Sequence, residues 1–428
     1  MMAPRFHRQH QRWLEASEGV RRFLEQRRIP PNSRIALRKM DPETLIAWFW
    51  GIARHRCTAV LLSDRDPDAT ISDRCQQVGA EYVFSHLPPI SSSLERHPID
   101  EKRIAVILFT SGSTNTPKAV AHSLHSLKQG ALASNQNIPL DTRDIWLLSL
   151  SLWHIGGLAI MLRTLYAGAQ LSYPCPTRSL GQQIALEAIT HISLVATQLY
   201  RLLQENKSFP SLKAILVGGG PIPETLIEES LHLPIHTTYG MTELGSQLCT
   251  TPSSADVEMR KTAGYPLAGW ELNIDPQGQI WARGSALFLG YVNQQQLINK
   301  CNNKGFFPTG DTGKLTPEGN LIVLGRCDQM FISGGENIHP EEIEKQLCTL
   351  SAVEAALVIP IAHEEYGMRP VAFIKGNVRV HALQQMIQKT LPRFKHPDAY
   401  FVWPECLPTQ KPSRQQAQAL LPSAIPLS

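Results

Sequence analysis

The residues best suited to chemistry in this sequence form a loop rich in serine, threonine and glycine. The loop follows an apolar run at residues 104–109 and ends at a lysine. Its backbone N–H groups and hydroxyls could donate to phosphate oxygens, and the lysine adds a positive charge. The candidate contacts are Thr110, Ser111, Gly112, Ser113, Thr114 and Lys118. The loop therefore predicts phosphate binding, with a polar turn that binds no ligand as the alternative.

The same loop differs from the P-loop of common nucleotide hydrolases. The spacing from Gly112 to Lys118 matches the Walker A motif. However, Pro117 stands where that motif has glycine, and Ala119 stands where it has the Mg²⁺-binding serine or threonine. These two residues disfavour a P-loop NTPase or kinase, but they leave phosphate binding itself intact.

Further groups of polar and glycine residues follow along the chain. A tyrosine ring can stack on a flat base, and a glutamate oxygen suits the hard cation Mg²⁺. Each group alone would be a weak signal, because such residues also occur in simple turns, caps and solvated loops. In chain order the groups are Gly218-Gly219-Gly220, Thr238-Tyr239-Gly240-Met241-Thr242-Glu243, Asp311, Arg326-Cys327-Asp328, Gly334-Gly335 and Lys411.

This ordered series resembles the motifs of the adenylate-forming superfamily, which contains acyl-CoA synthetases, luciferases and peptide-synthetase adenylation domains. The matching segments are T-S-G-S-T-x-x-P-K, Y-G-M-T-E, T-G-D, G-R-x-D and K-x-x-R. The resemblance implies an enzyme that uses ATP and Mg²⁺ to adenylate a small-molecule carboxylic acid and then transfers the acyl group to CoA. Asn115 and Gln410 replace glycines that are usual in the family, so a non-catalytic nucleotide-binding relative is an alternative.

The resemblance also implies a role for each residue at the nucleotide. The phosphate loop holds phosphate, Tyr239 stacks on adenine, Asp311 accepts hydrogen bonds from ribose, and Arg326 contacts ribose or phosphate. Backbone and polar contacts to the nucleotide would come from Gly218, Gly219, Gly220, Thr238, Gly240 and Met241. The implied catalytic residues are Lys118, Thr242, Glu243 and Lys411, with Glu243 as the Mg²⁺ ligand.

By the same resemblance, the C-terminal part of the chain serves both half-reactions. Asp328 would be a hinge, and Lys411 would act in adenylation. After rotation about the hinge, Gly334 and Gly335 would line the path of the CoA pantetheine arm, where a side chain would obstruct the thiol. We therefore expect one pocket to serve two successive reactions.

Several stretches are similar to o-succinylbenzoate–CoA ligases of menaquinone and phylloquinone synthesis, a subfamily of this superfamily. They are residues 193–199, 331–338, 364–373 and 411–415. The acyl pocket is expected to contain His154, Gly156, Thr197 and Gln198. Gly156 replaces a serine that relatives often have, and His154 could equally be a core residue. A ligase for another aryl or aliphatic acid, or an enzyme that loads a carrier protein, is the alternative.

The elements that must position these residues follow an α/β pattern. Short β-branched or leucine-rich runs alternate with helical segments, which favours a large N-terminal domain of mostly parallel sheets with helices. From about residue 269, turn signals predict a small antiparallel β subdomain. The predicted buried strands are 104–109, 146–150, 192–196 and 214–217, and the predicted helix after the phosphate loop is 124–134.

After Arg326 the sequence predicts a small α+β domain. Helices are expected near 340–350 and 380–391, and strands at 355–359 and 370–375. The predicted organisation is therefore a domain at 1–326 that binds ATP and the acyl substrate, followed by a mobile domain at 327–428.

Composition narrows the class of protein. The chain has 428 residues, a net charge of +4 and eight scattered cysteines. These values argue against a nucleic-acid binder, and the lack of a C-x-x-C pair argues against a zinc or dithiol site. Polar residues and glycines interrupt the apolar stretch 145–161, so stable membrane insertion is not expected. We expect a cytoplasmic enzyme with small-molecule partners and leave a homo-oligomer open.

Overall fold

The chain, described by a computed structural model, divides into two compact units. The structure describes residues 4–86, 99–110, 117–293, 296–334, 336–409 and 412–427. The larger unit comprises Met1–Gly220, Ser230–Leu272 and Ala282–Phe307. The smaller unit comprises Pro221–Glu229, Asn273–Trp281 and Pro308–Ser428. Among the described residues, no helix is both long enough and apolar enough to cross a membrane.

Side-chain caps define the start of several helices. Asp41 accepts a hydrogen bond from the backbone N–H of Thr44, and Ser123 accepts one from Ser126. Such caps satisfy N–H groups that have no partner within the helix. The helices are α1 (Pro4–Gln26), α2 (Pro42–Arg54), α3 (Asp68–Val78), α4 (Leu124–Asn137), α5 (Ile155–Ala167), α6 (Leu180–Glu187), α7 (Ala196–Gln204), α8 (Glu224–Glu229), α9 (Val257–Arg260), α10 (Pro340–Leu347), α11 (Val380–Thr390) and α12 (Arg414–Leu420).

The two longest strands, β21 and β22, lie in the smaller unit. In chain order they are β1 (Arg34–Leu37), β2 (Thr58–Leu61), β3 (Tyr82–Phe84), β4 (Ile104–Thr110), β5 (Lys118–Ser123), β6 (Ile145–Leu147), β7 (Gln170–Ser172), β8 (His191–Leu194), β9 (Ala214–Val217), β10 (Ile235–Tyr239), β11 (Cys249–Thr250), β12 (Tyr265–Pro266), β13 (Trp270–Ile274), β14 (Gln279–Gly284), β15 (Gly290–Asn293), β16 (Gln296–Ile298), β17 (Phe307–Leu315), β18 (Leu321–Arg326), β19 (Phe331–Ser333), β20 (Glu336–Ile338), β21 (Val353–His363), β22 (Gly367–Gly376) and β23 (Tyr400–Val402).

One seven-stranded sheet of the larger unit contains the two strands that flank the phosphate loop. Its order is β16-β15-β5-β4-β2-β1-β3. Strands β3, β1, β2 and β4 are parallel, whereas β4 pairs with β5, and β5 with β15, in antiparallel fashion. Thr110 and Lys118 are partners in the β4–β5 register. The loop therefore leaves and rejoins the sheet at the same point.

A second seven-stranded sheet of the larger unit has the order β12-β11-β10-β9-β8-β6-β7. Strands β6, β7, β8, β9 and β10 are parallel. Their side chains are mostly buried, and β8 and β9 are buried at every position. Parallel strands end on one edge of a sheet, so the loops after β6, β8, β9 and β10 meet there; we call this the carboxyl edge.

The smaller unit is built around a long antiparallel pair, β21 and β22, within the sheet order β20-β19-β22-β21. Strand β23 pairs with β22 in parallel. A second, four-stranded sheet in the order β13-β14-β17-β18 contains the antiparallel pair β17–β18. Helices α10 and α11 contribute buried residues to one core, among them Ile343, Leu347, Leu383 and Ile387.

The structure confirms the predicted fold class, and two predicted strands were too long. Strand β6 ends at Leu147 and β8 ends at Leu194, before the predicted limits of 150 and 196. The amide of Gln198 explains both limits, because it accepts from the Val195 N–H at 3.0 Å and donates to the Ser149 carbonyl at 3.2 Å. The main segment of the smaller unit begins at Pro308. The domain boundary at 326/327 stays a prediction.

Candidate functional site

Several predicted site residues fall outside the described residues. They are Ser111, Gly112, Ser113, Thr114, Gly335 and Lys411, together with the unusual positions Asn115 and Gln410. The ends of the phosphate loop are described. Thr110 closes β4, and Lys118 opens β5 with an exposed side chain. The Lys118 ammonium lies 5.5 Å from the centroid of the Tyr291 ring, a cation–π distance.

The carboxyl edge collects most of the predicted site residues of the larger unit. His154 follows β6, Thr197 and Gln198 follow β8, the three glycines at 218–220 follow β9, and Tyr239 ends β10. Residues from four separate sequence segments therefore lie on one edge of a sheet. In open α/β sheets this edge is where ligands bind.

The glycines at the carboxyl edge differ in whether the surrounding structure would accept a side chain. A Cβ on Gly218 would lie 2.6 Å from the Thr238 methyl carbon, and one on Gly240 would lie 1.7 Å from the Ser246 carbonyl oxygen. Gly219 has a φ of +82°, which disfavours any side chain. At Gly220, by contrast, an added Cβ would meet nothing within 4 Å. Gly218 is therefore required by packing and Gly219 by its backbone conformation, whereas Gly220 faces open space.

Thr242 and Glu243 form a short, firmly held turn after β10. Glu243 is only 3% exposed, and its Oε1 accepts a hydrogen bond of 2.7 Å from the Tyr291 hydroxyl. Its backbone carbonyl accepts a bond of 2.9 Å from the Phe288 N–H. Mg²⁺ prefers oxygen ligands such as a carboxylate, and in proteins it commonly binds one or two carboxylates together with substrate phosphates. The residues present therefore fit the predicted metal.

His122 holds the main chain of the same turn. The His122 Nε2 lies 2.7 Å from the Thr242 carbonyl oxygen, and Nδ1 lies 3.2 Å from the Ser126 hydroxyl. Burial lowers the pKa of His122 to about 4, against the opposing effect of that carbonyl. The ring is therefore neutral near pH 7, and because a carbonyl only accepts, Nε2 carries the proton.

Two of the four predicted acyl-pocket residues, Gln198 and Gly156, have structural roles in the surrounding fold. Gln198 uses both ends of its amide at the β8–α7 junction described above. A Cβ on Gly156 would lie 2.9 Å from Leu150 Cδ1, so the glycine there also serves packing. His154 and Thr197 have exposed side chains. These two can therefore face a ligand without breaking the core.

Sequence reasoning missed Arg163 on α5. Its side chain is 1% exposed, yet no carboxylate of the described residues pairs with it. Instead its Nη2 donates to Gln247 Oε1 at 2.6 Å and to the Ser246 hydroxyl at 3.2 Å, and its guanidinium lies 5.4 Å from the Trp146 ring centroid. Burial lowers the pKa of Arg163 to about 9. The signal in the sequence was a lone arginine inside the apolar helix segment LAIMLRTL.

In the smaller unit, Asp311 and Arg326 are partners in the β17–β18 register. Arg326 Nη1 lies 3.1 Å from Asp311 Oδ1, and its Nε lies 3.3 Å from Asp328 Oδ1. Burial would lower the pKa of Arg326, but these two carboxylates raise it. The structure thus brings the predicted ribose, phosphate and hinge residues of this unit together.

Gly334 and Arg414 mark two further places in the smaller unit. Gly334 has a φ of +57°, and its N–H donates to the Tyr366 carbonyl at 2.9 Å. Arg414 begins α12, three positions after Lys411, and its Nη2 lies 2.7 Å from Glu344 Oε1. Its Nε also donates to the Val358 carbonyl at 3.1 Å. The backbone that follows the predicted catalytic lysine is therefore anchored.

Comparison with known families and proteins decides the relationship. A model of the AMP-binding enzyme family matches residues 85–292, and a model of the AMP-binding enzyme C-terminal domain matches residues 342–412. The 2-succinylbenzoate–CoA ligase of Haemophilus influenzae is 34% identical over 411 residues, which cover 92% of this chain and 88% of the relative. The chain belongs to the AMP-binding enzyme family. The 2-succinylbenzoate–CoA ligase of Escherichia coli is 37% identical over 379 residues, covering 85% and 81%.

Solved structures of AMP-binding enzymes agree with this relationship. MenE of Bacillus subtilis in complex with the acyl-adenylate OSB-AMP has a TM-score of 0.85 at 26% identity and covers 95% of this chain and 92% of its own. The same enzyme with ATP and magnesium ion has a TM-score of 0.84, also at 26% identity, covering 95% and 93%. Wild-type E. coli MenE with an analogue of OSB-AMS has a TM-score of 0.80 at 29% identity, covering 97% and 93%. The predicted superfamily and fold are confirmed, and the individual residue roles stay predictions.

Proposed function

We propose that this chain is an AMP-forming 2-succinylbenzoate–CoA ligase that acts in menaquinone or phylloquinone synthesis. The observation that carries the proposal is the similarity to ligases of that name, at 34% and 37% identity over most of the chain. The structural likeness to MenE in complex with OSB-AMP, and with ATP and magnesium ion, supports it. ATP and CoA are cytoplasmic metabolites, so we also propose that the enzyme works in the cytoplasm.

The reaction has two steps. A carboxylate oxygen of the acid attacks the α-phosphorus of ATP, the bond to pyrophosphate breaks, and acyl-AMP forms. The sulfur of CoA then attacks the acyl carbon, the thiol proton is lost, and AMP leaves. In the first step two anions meet, so the site must supply positive charge where negative charge gathers. We assign this task to Lys118 and Lys411.

Glu243 is the residue that would hold Mg²⁺, which when bound would neutralise phosphate charge. Its burial and its hydrogen bond from Tyr291 keep the carboxylate in one place. We propose that Tyr239 stacks on adenine beside the turn at 218–220, and that Gly220, which faces open space, is where the base approaches the backbone.

In the smaller unit we propose that Asp311 and Arg326 bind the ribose and phosphate of the nucleotide. Their mutual ion pair at 3.1 Å would orient both groups before ATP arrives. Asp328, which is bonded to the same guanidinium, is our candidate for the hinge. Gly334 and Gly335 are our candidates for the path of CoA.

The surroundings of Arg163 favour a substrate that carries a second negative charge. The acid 2-succinylbenzoate has two carboxylates, and only one is consumed in forming acyl-AMP. Among the described residues, the guanidinium of Arg163 is 1% exposed and bonds to neutral groups only, so it has none of the counter-charge that buried arginines normally have. We infer that the second carboxylate of the substrate supplies this charge, through hydrogen bonds to Arg163.

Product analysis tests the proposed function. The protein is mixed with ATP, Mg²⁺, CoA and 2-succinylbenzoate, and the products are identified by mass spectrometry. We expect 2-succinylbenzoyl-CoA, AMP and pyrophosphate in equal amounts, and acyl-AMP when CoA is left out. Benzoate, which lacks the succinyl carboxylate, is the matched control and should react poorly. Pyrophosphate release with another acid but none with 2-succinylbenzoate would contradict the proposal.

A further inference from the structure

Tyr291 lies beside the lysine that begins β5. Strand β15, which carries Tyr291, pairs with β5 in antiparallel fashion, and Tyr291 is the partner of Val120, two positions from Lys118. Side chains two positions apart lie on the same face of a strand, so Tyr291 and Lys118 come close across the two strands. The Lys118 ammonium lies 5.5 Å from the centroid of the Tyr291 ring.

The same phenol contacts the predicted metal ligand. The Tyr291 hydroxyl donates to Glu243 Oε1 at 2.7 Å, and Glu243 is 3% exposed. The ring of Phe288 packs edge-on against Tyr291, with the centroids 4.9 Å apart, and its backbone N–H donates to the Glu243 carbonyl at 2.9 Å. The Tyr291 ring is thus packed against Phe288, while its hydroxyl contacts Glu243 and its face contacts Lys118.

We propose that Tyr291 is a positioning residue that holds Lys118 and Glu243 for the phosphates of ATP and keeps them from pairing with each other. A free lysine next to a buried carboxylate would gain by forming an ion pair, and both charges would then be lost to the ligand. The Tyr291 hydroxyl occupies Glu243 Oε1 and leaves Oε2 for the metal, while the ring face gives the ammonium another partner. This inference rests on the proposed function, in which Glu243 holds Mg²⁺.

His122 completes the arrangement from the same strand as Lys118. It holds the backbone of the turn through the Thr242 carbonyl, at 2.7 Å, whereas Tyr291 holds the side chain of Glu243. The backbone bond would keep the turn in place after the phenol hydroxyl is removed. Loss of that hydroxyl should therefore affect the orientation of the carboxylate without unfolding the turn.

Equilibrium binding of ATP to the full chain at increasing Mg²⁺ concentrations tests the proposal, by titration calorimetry without the acid substrate. Tyr291→Phe keeps the ring and removes the hydroxyl. We expect it to raise the Mg²⁺ concentration for half-maximal tightening of ATP binding about 10-fold, the usual effect of losing a group that orients a metal ligand. ATP binding without Mg²⁺ should not change. Thioester formation from supplied acyl-AMP should also stay at the wild-type rate.

Two further variants separate the two contacts. Tyr291→Leu also removes the ring face, so it should weaken ATP binding even without Mg²⁺. Tyr166→Phe is the matched control, because the Tyr166 ring also faces a lysine, Lys128, at 5.8 Å. This control should behave as the wild type. If Tyr291→Leu fails to fold, Tyr291→Phe decides alone, since it differs from the wild type by one oxygen.

The outcomes distinguish this inference from the proposed function. If the wild type binds ATP with no dependence on Mg²⁺ and forms no acyl-AMP, the proposed function fails. If the wild type shows both properties and Tyr291→Phe has the same Mg²⁺ dependence, only the role of Tyr291 is overturned. An equal loss of both half-reactions in Tyr291→Phe would also overturn it, because a general structural defect would then explain the result.

Discussion

Two arginines, one buried and one half-buried, show how the two units partner positive charge differently. In the larger unit, Arg163 is 1% exposed, and within the described part of the chain its side chain bonds only to the neutral side chains of Ser246 and Gln247. In the smaller unit, Arg414 lies 2.7 Å from Glu344 and 3.5 Å from Glu341. An arginine that has its own carboxylates stabilises the fold. For Arg163, which has no such partner among the described residues, we propose that the substrate's second carboxylate supplies the counter-charge, and a buried site would strengthen that interaction.

The largest effect should come from Lys411, the predicted adenylation lysine. Lys411→Ala should lower the rate of acyl-AMP formation about 10³-fold, because a positive charge at the developing negative charge is lost. Thioester formation from supplied acyl-AMP should stay near the wild-type rate. Rapid-quench assays of each half-reaction measure both values. Equal losses in the two assays would contradict the assigned role.

The second largest effect tests Arg163, which has no carboxylate partner among the described residues. Arg163→Met keeps much of the side-chain volume and removes the charge, so the KM for 2-succinylbenzoate should rise about 10- to 100-fold. The KM for ATP should change little. Because the variant also removes an unpaired buried charge, its free energy of unfolding should equal or exceed that of the wild type. A clear loss of stability with an unchanged KM would mean that Arg163 is architectural, like Arg414.

Arg414→Met should show the opposite pattern. It leaves Glu344 buried without its partner, so urea unfolding should show a loss of about 2 kcal/mol in the smaller unit. Trp403 lies in a core of this unit and provides the fluorescence signal. The control is Lys375→Met in the same unit, which breaks the more exposed pair with Glu354 and should cost less than about 1 kcal/mol. Equal losses in the two variants would remove the distinction between the arginines.

The smallest effect is a pH dependence of the same pair. Burial raises the pKa of Glu344 to about 7, although Arg414 opposes the shift. A carboxyl whose pKa is higher in the folded state gives stability that is full below its unfolded pKa and is lost as pH rises through the folded value. Between pH 5 and 7.5 the free energy of unfolding of the wild type should therefore fall relative to that of Glu344→Gln. A constant difference across this range would contradict the raised pKa.

Local patterns in the sequence were enough to predict strands that flank the candidate site and the start of the helix that follows the phosphate loop. The run 104–109 and the residues 214–217 form strands with nearly the predicted limits, and α4 begins at Leu124 as predicted. Each depends on apolar content and on turn residues next to it. The adenylate-forming family followed from the order of the motifs, which a chance set of turns would not reproduce.

Contacts between segments that are far apart in the chain could not be predicted from such local patterns. The ends of β6 and β8 depend on the amide of Gln198, which contacts Ser149 across 49 positions of sequence. Arg163 was missed in the sequence, because its lack of a carboxylate partner among the described residues depends on the packing around α5. The role of Tyr291 likewise depends on the β5–β15 register, which joins segments far apart in the chain.

The tight turn at Gly240 limits how this enzyme could evolve toward other acids. A side chain at Gly240 would collide with the backbone of Ser246 and Gln247, and the side chains of these two residues hold Arg163. In the roles we propose, the base site beside Gly240 and the carboxylate site at Arg163 would thus share one piece of backbone. A lineage that changes its acid by rebuilding residues 246–247 would also disturb its nucleotide site. New specificities should therefore arise by exchanging Arg163 itself or the residues on its other side.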